Sequence, residues 1–150
     1  VPPRLVSFRW QAGLVCYVSP DTSKLGHHSK ALRNMSTMEV ITLDRTGEPP
    51  LRFSGTEIGS GNNATGAGRG VEVSIYRTKG GKYVAEACYR TCWQGETNTY
   101  KAEAFTTPAE LVEWLRADNE GRLGRTSQEA CEEAAENDAE FGKAFIEEVE

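Results

Sequence analysis

The chain has 150 residues, 38% of them apolar and 26% charged, a composition suited to one soluble domain with its own core. Its longest apolar runs fall far short of the ~20 residues that span a bilayer, and "VPPRLVSFRW" lacks the pattern of a signal peptide, so a cytoplasmic location without membrane contact is expected. The formal net charge of −5 conceals an asymmetry: residues 106–150 carry 13 acids and 4 bases, while the rest of the chain is net basic. Such a split points to a charged partner or to pairing between the two parts.

In chain order, residues 4–18 alternate in the manner of a hairpin, with Val6, Phe8 and Trp10 on one side and Leu14, Cys16 and Val18 continuing the pattern. The polar stretch that follows, "SPDTSKLGHHSKALRN", reads as a linker. Residues 1–34 are therefore expected to be an added hairpin with linker, or disordered. Residues 35–150 are expected to form the domain proper, and Met35 is a plausible alternative start.

The domain opens with a strand, "MEVITLD", which "RTGEPP" should stop, since two prolines do not fit a central ladder. "LRFSGTEI" is the second strand. Six glycines in "SGTEIGSGNNATGAGRG", residues 54–70, then predict a loop. "VEVSIYRT" and "YVAEACYRTCW" are strands joined by a tight turn at Gly80-Gly81, and "TYKAEAF" completes a meander from Met38 to Phe105. "TPAE" carries a capping box and a first-turn proline, which predicts a helix over 107–120 with Leu111, Trp114 and Leu115 on its apolar stripe. A second box, Thr126 to Glu129, predicts a last helix running toward the C-terminus, acidic on one face and interrupted at Asp138. The fold class is α+β: an antiparallel β-meander of four to five strands packed against one helix, plus a C-terminal acidic helix.

The pattern in Phe53–Ala87, F-S-G, a polar loop, then E-x-x-x-Y-R-T-x-x-G-x-Y-V, resembles a small uncharacterised bacterial family. The resemblance supports the strand pair and implies no activity.

The chemistry-bearing candidates are few. Gly59-Ser60-Gly61-Asn62-Asn63-Ala64 fits a dinucleotide fingerprint in letters, but a strand follows where a helix is required. Gly61-x4-Gly66 lacks the lysine and hydroxyl of a P-loop. His27 and His28 are adjacent and so point apart, which disfavours joint metal binding. Cys16, Cys88, Cys92 and Cys131 are expected to be free buried thiols. Cys88 and Cys92 are too far apart along an extended strand to bridge. No catalytic residue, metal or cofactor is expected.

Two binding surfaces remain. One is the acidic helix, with Glu129, Glu132, Glu133, Glu136 and Glu140 meeting a protein with a basic surface, in the manner of a nucleic-acid mimic. The other is a basic, aromatic sheet face for single-stranded nucleic acid, made of Arg69, Arg77, Lys79, Lys82, Tyr83, Tyr89, Arg90 and Trp93. The competing expectation for Tyr83 and Tyr89 is that they are core beneath the helix. A sheet face left uncovered would serve as a homodimer interface.

Overall fold

A computed structural model describes residues 38–63 and 68–149. The hairpin and linker expected over residues 1–34, and residues 64–67 of the glycine-rich stretch, lie outside the described residues. Five antiparallel strands run in sequence order: β1 (Glu39–Arg45), β2 (Glu48–Asn62), β3 (Arg69–Thr78), β4 (Tyr83–Thr91) and β5 (Thr99–Phe105). Three helices follow, α1 (Pro108–Ala117), α2 (Arg125–Asn137) and α3 (Ala139–Phe145). The expected α+β meander is present, and its limits match the expected Met38 to Phe105 closely.

The sheet curls. β1 pairs with the first half of β2, with Leu43 opposite Leu51, and β3 pairs with the second half, with Gly61 opposite Val73. A bulge between Glu57 and Gly59 re-aims β2 midway. The curl brings β1 against β5, where the Thr46 amide donates to the Tyr100 carbonyl at 2.8 Å and the Tyr100 amide donates to Thr46 Oγ1 at 2.9 Å. β3 and β4 turn on Gly81 at φ +83°, and the Lys82 amide donates to Thr78 Oγ1.

Period two divides the sheet into two cores. On one face Val73, Ile75, Tyr83, Ala85 and Ala87 pack with Leu111, Val112 and Leu115 of α1, Ala130, Cys131 and Ala134 of α2, and Phe141 of α3. On the concave face Leu43, Tyr76, Val84 and Ala102 pack with Ile41, Leu51 and Phe53.

Helix α1 begins as its letters predict. Thr107 accepts from the Glu110 amide, Glu110 accepts from the Thr107 amide, and Pro108 fills the first turn. The acidic helix packs on the sheet beside α1: α2 lies along β2 and contributes as fully to the core as α1. The reason is in the glycines. A Cβ on Gly59 would stand 2.2 Å from the Ala130 carbonyl oxygen, and one on Gly61 would stand 2.1 Å from that of Thr126. These glycines, read as part of a loop, are instead strand, and they let a helix backbone descend onto the sheet. Ala130 and Ala134 are the matching small residues on the helix.

The second capping box does not form. Gly124 is the N-cap, without a side-chain bond, and Thr126 is buried against β2. The last helix is two helices. Asp138 adopts an extended conformation that ends α2, and its carboxylate caps α3 by accepting from the Phe141 amide at 2.9 Å.

Candidate functional site

Two arginines of β3 stand at opposite ends of the strand, each with a carboxylate and an aromatic ring. At the hairpin end, Arg77 bridges Asp138 and Glu140 and lies 5.2 Å from the centroid of the Tyr83 ring. The Tyr83 hydroxyl donates to Asp138 at 3.1 Å. The Asp138 side chain is 5% exposed. Burial alone would raise its carboxyl. The Phe141 amide and the Arg77 guanidinium outweigh that and hold it below the ordinary aspartate range. Burial, reinforced by the Asp138 charge, pushes the Tyr83 phenol up to about 12.

At the other end Arg69 pairs with Glu96 and lies 5.5 Å from the Trp93 ring centroid. Here the side chains are open to water, 64% exposed for Arg69 and 38% for Glu96. The turn after β4 is built around this carboxylate. Thr91 Oγ1 donates to Glu96 at 2.6 Å, the Trp93 amide donates to Thr91 Oγ1, and the Thr91 amide donates to Asn98 Oδ1. Hydrogen bonds from Arg69 and Thr91 hold the Glu96 carboxyl down at about 2. An open cleft of about 330 Å³ lies here, lined by Asn63, Arg69, Val71, Tyr89, Arg90 and Glu96 among others.

The eight residues expected to contact single-stranded nucleic acid do not form one surface. Arg69, Tyr89 and Arg90 line the cleft, with Trp93 beside Arg69. Arg77, Lys79, Lys82 and Tyr83 are at the hairpin end. Tyr83 is fully buried and offers no face to a base, which corrects its assignment to a stacking surface. Tyr89 is partly buried against the helix-covered core, and Lys101 Nζ lies 5.5 Å from its ring centroid. The core expectation for this strand face therefore holds. Trp93 falls in the turn after β4 rather than on the strand, and is 57% exposed.

The acidic set is divided in a similar way. Glu133 accepts from the Ser60 amide at 2.9 Å and from Ser60 Oγ at 3.1 Å, which ties α2 to β2. Asn137 adds a bond to the Ile58 carbonyl at 2.8 Å. Glu140 belongs to the Arg77 bridge and lies on α3. Glu129 pairs with Arg125 one turn earlier, and Glu132 accepts from Gln128. Glu132 and Glu136 are exposed.

A third group went unnoticed in the sequence. Glu57, Ser74, Tyr76, Glu86 and Cys88 share the concave face. The Tyr76 hydroxyl donates to Glu86 at 3.3 Å and the Cys88 thiol donates to it at 3.4 Å. Burial raises the Glu86 carboxyl, raises the Tyr76 phenol, and pushes the Cys88 thiol up to about 12. Period two in β3 and β4 carries the signal: Ser74 and Glu86 are cross-strand partners, and Tyr76 faces Val84. A thiol so disfavoured as thiolate is a poor nucleophile. Cys88 and Cys131 are free and buried, whereas Cys92 is disulfide-bonded, which corrects the expectation of four free thiols.

Among the described residues no group of three His, Cys, Asp or Glu side chains is placed to hold a metal ion. No described helix is long and apolar enough to cross a membrane. Comparison with protein-family models, with curated proteins and with solved structures finds no match.

Proposed function

We propose that this protein is a non-enzymatic binding module that presents the outer face of α2 to a basic surface on a partner protein. The observation that carries the reading is the docking of α2. Its inner face is locked on β2 by the close approach at Gly59 and Gly61 and by Glu133 on Ser60. Such a helix holds its outward carboxylates at set spacings without further ordering cost. Glu129, Glu132 and Glu136 recur at three and seven residues, so they form one row along the helix. Arg125 is the basic residue of this helix and sits at its first turn. A row of fixed negative charge speeds encounter with a basic surface and selects against acidic ones.

The original five-residue set is narrowed by this reading. Glu133 and Glu140 hold the fold together, and Glu129, Glu132 and Glu136 make the contact. The test is affinity capture with the tagged 150-residue chain from lysate of its source, beside a Glu132→Lys/Glu136→Lys variant. A basic protein retained by the unaltered chain and lost by the variant is expected. Retention of the same proteins by both would overturn the reading.

A further inference from the structure

We propose that the outer face of α2 docks on a second copy of this chain, on the open half of the sheet that carries Arg52 and Lys79. This contact rests on the α2 reading above and identifies the basic surface that the helix meets.

The helices leave half of the outer sheet face bare. The helix-covered core takes its strand residues from the second half of β2 and from β3, β4 and β5. β1 contributes to the concave core, through Ile41 and Leu43. Period two then sets Val40 and Thr42 on the outer face, beside their partners Ser54 and Arg52 on β2. Val40 is 60% exposed, and Thr42 and Arg52 are exposed. The row continues to the hairpin, where the Lys79 amide donates to the Ser54 carbonyl at 2.8 Å, and Lys82 follows across the glycine pair. Asn137 at the end of α2 bonds to the Ile58 carbonyl, so the bare half begins about where α2 ends. It forms a shelf with an apolar residue at Val40 and cations along its rim.

Charge selects the occupant. Arg52, Lys79 and Lys82 are exposed and enter no ion pair among the described residues. Arg77 is already taken by Asp138 and Glu140. On this half Glu48 is paired with Arg45 at 2.7 Å, which leaves Asp44 against the three cations. On α2 the balance is reversed, with Glu129, Glu132 and Glu136 against Arg125. The spacings match as well. Glu132 and Glu136 are about 6 Å apart along the helix, and two residues of strand plus one strand spacing put Arg52 and Lys79 about 8 Å apart.

The two surfaces do not meet within one chain. The inner face of α2 is fixed on β2, so its outer row points away from its own sheet. Complementary charges held apart in this way are matched between molecules, where they steer encounter and fix orientation. Such a contact is small and polar, in the class of transient association. A different basic protein could take the α2 row, but it would make no use of Arg52 and Lys79.

The experiment is sedimentation velocity of the 150-residue chain at about 20 and 300 mM salt. Beside it run Glu132→Lys/Glu136→Lys, Arg52→Glu/Lys79→Glu, and an equimolar mixture of these two variants. The unaltered chain is expected to associate at low salt, with affinity about tenfold lower at high salt. Each variant alone is expected to stay monomeric, because it sets like charges against each other. The mixture is expected to associate again, since each reversed surface meets its opposite, and that recovery shows that both variants are folded. A monomeric unaltered chain at low salt would overturn the proposal. So would association that Arg52→Glu/Lys79→Glu leaves intact, or a mixture that stays monomeric. A monomeric chain that still retains a basic protein from lysate through Glu132 and Glu136 would sink this inference and leave the α2 reading standing. Association that survives Glu132→Lys/Glu136→Lys would count against the use of α2 in it.

Discussion

The two ends of β3 carry the same three chemical parts and use them differently. Arg77, Asp138 and Tyr83 form a knot with the carboxylate buried and the ring in the core. Arg69, Glu96 and Trp93 form a cluster with every member in contact with water. Burial makes the difference. A carboxylate removed from water must keep its partners, since an unpaired charge there is costly, whereas an exposed one can trade its partner for solvent or a ligand. The knot therefore serves the fold, and the open cluster does not depend on burial to hold its charges. Residue types alone do not separate the two.

That contrast predicts a graded set of effects. The largest is expected from Asp138→Ala, which strands Arg77 and the Tyr83 hydroxyl and removes the cap of α3. It should cost about 3–5 kcal/mol in urea unfolding. A cost near zero would mean that the knot does not hold α3. Next is Gly59→Ala, where the new methyl group meets the Ala130 carbonyl and the Ala134 amide. Lifting α2 should cost about 1–3 kcal/mol by the same measurement, and a neutral result would show that the helix rides higher on β2.

Smaller effects should follow pH. The Asp138 carboxyl is lowered in the folded protein, so its contribution is complete above the ordinary value of about 4 and is lost as pH falls through the lowered value. Glu86 has the opposite sign. Its carboxyl is raised, so the contribution present below the ordinary glutamate value is lost as pH rises through the raised one. Glu86→Gln should therefore gain stability relative to the unaltered chain on going from pH 4 to pH 7, and a parallel pair of pH curves would contradict the assignment. The smallest change is expected at the open cluster. Glu96→Gln should leave the melting temperature unchanged at neutral pH. A clear loss there would make the open end structural as well, and would erase the contrast between the two ends.

The stretch from Tyr76 to Val84 reads differently in this light. Tyr76 fills the concave core, Arg77 and Tyr83 hold Asp138, Thr78 and Gly81 shape the turn, and Val84 is buried. These residues maintain the architecture, and among them none lines the cleft.

The sequence by itself determined the meander, its limits and the start of α1. Each of these rests on local chemistry: alternation along one strand, a glycine pair in a turn, a threonine and a glutamate three residues apart. Only the tertiary structure decided what Gly59, Gly61, Asp138 and the two arginines of β3 are for. The glycine-rich letters of β2 are compatible with a loop until a helix is laid against them, since the requirement for a missing Cβ comes from a backbone some 70 residues away. Asp138 interrupts an apolar stripe in the sequence, and becomes the cap and buried counter-ion only when α3 meets β3 and β4. Arg69 and Arg77 are eight residues apart on one strand with equal formal charge. What distinguishes them is which end the helices cover, and that is a property of long-range packing.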